Sequence, residues 1–252
     1  MSNEFLADWL TVTVFDTRAE LGMTAAGDIA AAIGRVLACK AECNVIFAAA
    51  PSQNETLAAL REAPGVDWQR VNAFHMDEYV GIAADAPQGF ARFLKDRLFD
   101  HLPFGSVHLL DGNAEPEGEC RRYEALLRAH PVDVVCLGIG ENGHIAFNDP
   151  PVADFNDPLL VKVVTLDETC RLQQVHDGCF AALDDVPRQA LTLTVPALLA
   201  GAELYAMVPA PTKARAVRDT LRGPVSTACP ASVLRQHPAA RLYLDRDSAS
   251  LL

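Results

Sequence analysis

The sequence predicts an α/β fold in which helices cover both faces of a mostly parallel β-sheet. Short apolar runs alternate with segments of helical periodicity along most of the chain, and this alternation is typical of the right-handed crossovers that build parallel sheets. The chain has 252 residues, half of them apolar, and no long linker, repeat or low-complexity tract interrupts it. We therefore expect one domain over residues 1–252, with a single large core.

The predicted helices begin at residues that suit a first turn. Thr17 can cap a helix whose apolar side chains recur every three or four positions and form a stripe that ends near Lys40. Pro51 opens the next helix, which runs to Arg61, because Pro lacks the backbone N–H that a first turn leaves unpaired. Further helices are predicted at 90–101, 118–129 and 211–222.

The predicted strands are short apolar runs between these helices. The run VDVVCL at 132–137 is the clearest, since strands covered on both faces read as continuous apolar segments. The other runs lie at 44–49, 71–74, 107–110, 160–165, 190–195, 204–208 and 241–244. In parallel sheets ligands bind beyond the carboxyl ends of the strands, so the residues after each run are the first candidates for a site.

The composition excludes several classes of protein. With 21 Lys and Arg against 33 Asp and Glu, the formal charge of −12 excludes a nucleic-acid binder held by bulk charge. No stretch approaches the roughly 18–20 consecutive apolar residues of a bilayer span, and the N-terminus lacks a secretory signal. We therefore expect a cytoplasmic protein without a membrane partner. Seven cysteines without a C-x-x-C pair are expected to be reduced thiols rather than disulfides or zinc ligands.

Three predicted strand ends carry polar residues of the kind found in binding sites. They are APSQN at 50–54, HMDEY at 75–79 and GIGENGHIAFNDP at 138–150. Because the carboxyl ends of parallel strands meet at one edge of a sheet, we expect these segments to converge. In the second segment, Asp77 and Glu78 are adjacent, so their side chains point to opposite faces of a strand. Only one of them can face the cleft, and the other should be structural, for example by capping a turn.

The glycine-rich loop at 138–150 fits the G-x-G-x-x-G pattern through Gly138, Gly140 and Gly143. A dinucleotide site needs this pattern to open a helix, whereas Pro150 follows Gly143 too closely for a crossover helix. We therefore expect no nicotinamide cofactor, and the glycines are better suited to bring backbone N–H groups close to a small oxygen-rich ligand.

His144 is the candidate acid–base group of this loop, since a neighbouring carboxylate or amide can orient its ring. Asn142 and Asp149 are its candidate partners. A metal would need at least three ligands, which His75, Asp77, His144 and Asp149 could supply, but no spacing fixes them and we expect no metal. The chain has no G-x-S-x-G elbow, which argues against an α/β-hydrolase.

The segments HMDEYVG at 75–81 and GIGENGHIAFNDP at 138–150 resemble the two signature segments of glucosamine-6-phosphate deaminases (isomerases). The likeness continues through LDGNA at 110–114, DVP at 185–187, ALTLTV at 190–195 and Lys213. The resemblance implies a Rossmann-like α/β sheet and an enzyme of amino-sugar catabolism that needs neither metal nor nicotinamide. Its reaction would convert glucosamine 6-phosphate and water into fructose 6-phosphate and ammonia.

The resemblance also implies roles for individual residues. Asp77 would move a proton between C2 and C1 of the sugar, and His144 would assist ring opening. Asn142 and Asp149 stand where the family has an aspartate and a glutamate that steer the histidine. The substrate and its phosphate would be held by Ser52, Gln53, Asn54, Gly138, Gly140 and Lys213, with Arg171 or His176 near the position of a family arginine.

Two alternatives stay open at this point. A 6-phosphogluconolactonase, which is a hydrolase, also resembles the glycine loop, although HMDEY and HIAFNDP are closer to the deaminases. A sugar-phosphate sensor without catalysis is suggested by the changed Asn142 and Asp149 and by the missing arginine, although the intact Asp77 and His144 argue against it. A small sugar phosphate is the expected partner, and a homo-oligomer is left open.

Overall fold

The computed structural model describes residues 3–252. Its strands are β1 (Asn3–Ala7), β2 (Leu10–Phe15), β3 (Cys43–Phe47), β4 (Val71–His75), β5 (Asp77–Tyr79), β6 (Ser106–His108), β7 (Val134–Leu137), β8 (Val161–Thr165), β9 (Gln189–Leu193), β10 (Glu203–Val208) and β11 (Ala240–Asp245). Its α-helices are α1 (Arg18–Cys39), α2 (Asn54–Arg61), α3 (Phe90–Leu94), α4 (Pro116–Ala129), α5 (Glu168–His176), α6 (Val195–Leu199) and α7 (Ala214–Arg222).

The main sheet within residues 3–252 has eight strands in the order β1-β2-β11-β10-β7-β3-β4-β6. Every neighbouring pair is parallel except the pair of β1 with β2. The chain proceeds from β3 to β4 and β6 on one side and then continues through β7 on the other side of β3. The expected mostly parallel α/β fold is confirmed. Its strand order reverses between β3 and β7, where such sheets open a crevice for a ligand.

Helices cover both faces of this sheet, as the sequence predicts. Successive residues of the central strands enter two different cores: Val45 and Phe47 pack with α1 and α2, whereas Ile46 packs with α4 and α7. All three side chains are fully buried. A strand buried on both faces explains why the sequence of β3 is a continuous apolar run.

Helix α1 begins and ends where the sequence predicts. The Oγ1 atom of Thr17 accepts a hydrogen bond from the backbone N–H of Glu20 at 3.2 Å, which satisfies one of the unpaired donors of the first turn. In the described part of the chain, α1 is the helix that is long and apolar enough to cross a membrane. Its apolar stripe, which includes Leu21, Ile29 and Ile33, is instead buried in the protein core.

Several elements differ from the prediction. Strands β1 and β2 were not predicted, because β1 is an exposed edge strand and β2 alternates apolar with polar residues. The predicted helix at 90–101 is α3 followed by a π-helical turn at Lys95–Phe99. The runs at 160–165 and 190–195 are strands, but β8 and β9 pair antiparallel with each other and with β5 in a separate small sheet. Apolar periodicity identifies a strand without identifying its partners.

Candidate active site

A cavity of about 440 Å³ opens at the carboxyl ends of β3, β4, β7 and β10. Its walls include Ser52, Asp77 and His144, one from each of the three strand-end segments singled out in the sequence. Small-molecule sites in proteins typically measure about 300–1,000 Å³. The predicted convergence at one edge of the sheet is therefore present, in a space that suits a ligand the size of a sugar phosphate.

Asp77 and Glu78 have opposite orientations, as strand geometry predicts. Asp77 lines the cavity. The carboxylate of Glu78 instead accepts hydrogen bonds from the backbone N–H groups of Tyr79, Phe90 and Ala91 at 3.0, 3.0 and 2.8 Å. Glu78 thus caps the first turn of α3 and is structural.

The carboxyl group of Asp77 accepts no hydrogen bond from any residue of the described range 3–252. Its burial, and secondarily the charge of Glu78, raise the pKa of Asp77 well above its usual range. A carboxyl group titrates closer to neutral pH when burial disfavours its charged form. Such a group can accept a proton from a substrate and return it, which is what general acid–base catalysis requires.

His144 is held by the two partners that the sequence suggested. Its Nδ1 atom lies 2.8 Å from Oδ1 of Asp149, although the N–H direction is poorly aligned for a hydrogen bond. Asn142 connects the two residues: its Oδ1 atom accepts from the backbone N–H of His144 at 3.0 Å, and its Nδ2 atom donates to Asp149 at 3.1 Å. Asn142 and Asp149 do not line the cavity, so they position His144 from behind.

The environment of Asp149 favours its charged form. Burial alone would raise its pKa, but the interactions with His144 and Asn142 and the backbone N–H of Asp167 outweigh burial and lower the pKa of Asp149. A buried carboxylate beside an imidazole fixes the orientation of the ring and stabilises a positive charge on it.

The position of the His144 ring depends on glycine in this loop. A Cβ atom on Gly140 would lie 2.2 Å from the His144 ring, so the imidazole can occupy its place only because residue 140 has no side chain. Gly143 has a φ of +83°, in the left-handed region that favours glycine. No helix begins between Gly138 and Pro150, which confirms that this loop lacks the crossover helix of a dinucleotide site.

The opposite wall of the cavity offers donors for an anion. Gln53 lies behind this wall, where its Nε2 atom donates to Ser52 Oγ at 2.9 Å and to the carbonyl of Met207 at 3.2 Å. The Ser52 hydroxyl proton is therefore available to a ligand. Gly138 approaches this turn closely, since a Cβ atom there would lie 3.2 Å from the Gln53 amide.

Lys213 is a buried cation of this wall, with 5% of its surface exposed. Its ammonium makes no hydrogen bond or ion pair with the residues at 3–252. Burial lowers its pKa, an effect that the charges of Asp177 and Glu141 oppose. The turn that carries Lys213 starts at Ala210, which has a φ of +90° and whose N–H is held by the Asp245 carboxylate. A buried, unpaired cation beside strained backbone favours an anionic ligand at this place.

Two arginines that the sequence analysis did not single out also line the cavity, Arg18 and Arg97. Arg18 donates to both carboxylate oxygens of Glu55 at 3.0 and 2.9 Å and to the carbonyl of Pro51. Arg97 donates from Nε to Oδ1 of Asn54 at 2.7 Å. Neither follows a predicted strand and both lie on helical segments, so no signal in the sequence distinguishes them from surface arginines.

The structure does not bring every predicted residue to the cavity. Arg171 is buried elsewhere and donates to the carbonyls of Leu183 and Val186. His176 is exposed, and its Nδ1 atom lies 3.4 Å from a carboxylate oxygen of Glu141. The side chain of Asn54 is occupied by Arg97. None of these three residues lines the cavity, although Gln173 and Gln174 of α5 do.

The alternative metal set is also not assembled as the sequence allowed. His75 is fully buried, and its Nε2 atom accepts a hydrogen bond from the backbone N–H of Leu110 at 3.0 Å. Within residues 3–252, ligand atoms of His144, Asp149 and Cys170 lie within 4.8 Å of one another. Burial, with the charge of Asp149 second, raises the pKa of the Cys170 thiol well above its usual range. Burial therefore favours the protonated form of this thiol beside the Asp149 carboxylate.

Comparisons with known sequences indicate the family of the chain. The model of the family "Glucosamine-6-phosphate isomerases/6-phosphogluconolactonase" matches residues 16–243. A glucosamine-6-phosphate deaminase of Listeria innocua is 38% identical over 212 residues, which cover 84% of this chain and 88% of that protein. A glucosamine-6-phosphate deaminase of Bacillus thuringiensis is 38% identical over 187 residues, which cover 74% of this chain and 70% of that protein.

Solved structures share the fold. A monomeric glucosamine-6-phosphate deaminase superimposes with a TM-score of 0.86 at 32% identity, over 96% of this chain and 99% of that one. The 6-phosphogluconolactonase of Thermotoga maritima superimposes with a TM-score of 0.76 at 20% identity, over 93% of this chain and 98% of that one. The resemblance drawn from the two signature segments is confirmed, and the chain belongs to the family of glucosamine-6-phosphate isomerases and 6-phosphogluconolactonases.

Proposed function

We propose that this protein is a glucosamine-6-phosphate deaminase, an enzyme that converts glucosamine 6-phosphate and water into fructose 6-phosphate and ammonia. The observation that carries the proposal is one cavity lined by Asp77, by His144 and by the buried, unpaired Lys213. Relatives of that name are 38% identical to the chain over most of its length. A base, a second acid–base group and an anion site are what the deamination of an amino-sugar phosphate requires.

The reaction starts at the ring oxygen and C1 hydroxyl of the sugar. His144 transfers protons between these oxygens, which breaks the C1–O5 bond and exposes the aldehyde. Asp77 then removes the proton from C2, giving an enolamine, and protonation at C1 gives the imine at C2. Water adds to this imine and the C2–N bond breaks, so that ammonia leaves and the ketone of fructose 6-phosphate remains. Each proton transfer by a positioned side chain contributes about 10²–10⁴ in rate.

The phosphate end of the substrate fits the opposite wall. The Ser52 hydroxyl, the N–H groups of the turn that follows and the Lys213 ammonium can together bind the anion. Gly138 and Gly140 allow the loop backbone to approach the ligand closely. Local cations are needed because a protein with a formal charge of −12 otherwise repels a sugar phosphate. We include neither Arg171 nor His176 among the phosphate ligands.

The proposal extends to the setting of the enzyme. We expect one catalytic domain over residues 1–252 in the cytoplasm, acting in amino-sugar catabolism on a small sugar phosphate without a resident metal or nucleotide cofactor. These expectations rest on the composition and on the family.

One assay tests the proposed reaction. Purified protein is incubated with glucosamine 6-phosphate, and ammonia and fructose 6-phosphate are measured in the same samples. The two products should appear in equal amounts. If neither product forms while the sugar phosphate still binds, the result would indicate the non-catalytic sensor instead. Hydrolysis of 6-phosphogluconolactone with no deamination would indicate the lactonase activity.

A further inference from the structure

We propose that Arg97 is a specificity-determining residue of this site, a second cation that binds the phosphate group of the sugar together with Lys213. The inference rests on the proposed function, since it assigns the phosphate end of that substrate. It concerns a residue on the helical segment after β5, away from the strand ends that hold the other groups.

The guanidinium of Arg97 is fixed along one side and open along the other. Its central carbon lies 3.8 Å from the centroid of the Phe93 ring, and its Nε atom donates to Asn54 Oδ1 at 2.7 Å. The two terminal nitrogens donate no hydrogen bond to the residues described, and the side chain lines the cavity. A planar guanidinium whose terminal edge is free has the geometry that binds two oxygens of a phosphate at once.

The contact with Asn54 places Arg97 at the anion end of the cavity. Asn54 is the first residue of α2 and lies two positions after Ser52 in the turn that lines this end. Arg97 itself belongs to the π-helical turn at Lys95–Phe99. Such turns occur frequently at functional sites, where the extra residue changes the direction of a side chain.

Arg18, the other arginine in the cavity wall, differs from Arg97 because it pairs with a carboxylate. Its donors are used by both oxygens of the Glu55 carboxylate and by the carbonyl of Pro51. Its positive charge is thus neutralised within the protein. Arg97 has no such carboxylate: the acceptor it uses is a neutral amide.

The charge of the ligand also requires a second cation. A phosphate monoester carries a charge of about −1.5 to −2 at neutral pH. Lys213 supplies one positive charge, and Asp177 in the same wall adds a negative one. With Arg97 included, the wall holds two cations that form no ion pair within the described residues, and both attract the phosphate group, which free glucosamine lacks.

The experiment compares Arg97→Gln and Arg97→Lys with the parent protein. We expect the KM for glucosamine 6-phosphate to rise about 10- to 100-fold in Arg97→Gln, because a charge-assisted hydrogen bond is lost, while kcat changes less than about 3-fold. Turnover of free glucosamine should be unaffected. Arg97→Lys should recover part of the loss, since a lysine keeps the charge without the bidentate geometry.

A second readout separates this proposal from the proposed reaction. Calorimetric binding of inorganic phosphate needs no turnover, and it should weaken in Arg97→Gln by a factor similar to the rise in KM. Arg92→Gln is the matched control, because Arg92 is an exposed arginine of the same segment that pairs with Asp96. Unchanged phosphate binding and unchanged KM in a folded Arg97→Gln protein would overturn the assignment, as would an equal loss for free glucosamine. Phosphate binding that depends on Arg97 in a protein without deaminase activity would overturn only the proposed reaction.

Discussion

The proposed role of Asp77 as a base depends on the surroundings of its carboxyl group. The group is buried in the cavity wall, it has no hydrogen-bond donor among the described residues, and Glu78 places a second negative charge next to it along the chain. All of these features disfavour the carboxylate and therefore strengthen it as a base. A hydrogen-bonded carboxylate such as Asp149 has the opposite property and is better suited to hold its neighbour than to accept a proton.

This difference predicts the acid limb of the pH profile. The proposed mechanism requires the deprotonated form of Asp77, and burial raises the pKa of Asp77. We therefore expect kcat/KM to fall with decreasing pH well above the value of about 4 at which an ordinary carboxyl group titrates. The measurement is kcat/KM for glucosamine 6-phosphate as a function of pH, with a check that the protein stays folded. A constant kcat/KM down to about pH 4.5 would contradict the assignment of Asp77 as the base.

Gly140 illustrates how a residue without a side chain can determine the position of a neighbouring ring, that of His144. In Gly140→Ala the new methyl group would occupy space held by the His144 ring, 2.2 Å away, so the ring must move. We expect kcat to fall about 10- to 100-fold, since small displacements of a catalytic group are that costly. Gly27→Ala is the control, because Gly27 lies in α1 with nothing within 4 Å of its added Cβ. Equal kcat values for the two variants would mean that His144 tolerates the shift.

Glu78 illustrates how a buried side chain fixes the start of a helix. Helix α3 has no capping side chain on the residue before its first turn, and the Glu78 carboxylate satisfies the N–H groups of Phe90 and Ala91 instead. Helix α3 continues directly into the π-helical turn that carries Arg97. A residue remote from α3 in sequence therefore does what a cap does in an ordinary helix.

The two adjacent carboxylates should respond differently to loss of charge. Glu78→Gln removes one acceptor for buried N–H groups and should cost roughly 1–3 kcal/mol of unfolding free energy, which lowers the melting temperature by several degrees. Asp77→Asn removes an unpaired buried charge, so its melting temperature should be unchanged or higher, while its turnover falls at least about 10²-fold. Thermal denaturation and kcat are measured on both variants. The same stability loss in both would contradict the assignment of Glu78 as the structural member.

Elements with one clear local signal could be predicted from the sequence. The cap at Thr17, the apolar run of β7 and the proline at the turn after β3 depend on residues close in the chain, and all three are found where expected. The small sheet of β5, β8 and β9 could not be predicted, because β5 pairs with residues of β9 that lie more than a hundred positions away in the chain. The place of Arg97 in the cavity wall could not be predicted either, since only the folded chain brings the helical segment 90–99 beside Asn54.

The position of the site follows from the order of strands in the main sheet. The crevice lies beyond the ends of β3 and β7, because the chain continues from these two neighbouring strands toward opposite edges of the sheet. The turn at 51–54 and the glycine loop both begin there. This order of strands does not by itself determine the reaction, because the 6-phosphogluconolactonase of Thermotoga maritima shares the fold. We propose that the side chains at positions 77, 97, 144 and 213, which all line the cavity, distinguish what it can do, and three of these four were singled out in the sequence.

A histidine outside the cavity links the stability of the whole molecule to pH. His75 ends β4 and is fully buried, and burial, followed by the charges of Arg122 and Lys95, lowers its pKa from 6.5 to about 3. In the unfolded chain the ring takes up a proton near its ordinary pKa, whereas in the folded protein it stays neutral. The contribution of His75 to stability is therefore complete above about pH 6.5 and is lost progressively as the pH falls toward 3.

Replacing His75 by glutamine isolates this contribution. A glutamine oxygen can still accept the hydrogen bond from the Leu110 N–H, but it does not titrate. The difference in unfolding free energy between the parent protein and His75→Gln should change by up to about 1.4 kcal/mol per pH unit between about pH 6 and pH 4, with the parent protein losing stability faster. Denaturant titrations at several pH values measure it. Asp77 and Glu78 have raised pKa values and act in the opposite direction, yet they are common to both proteins and cancel in the comparison. Parallel stability curves for the two proteins would show that His75 is not held neutral.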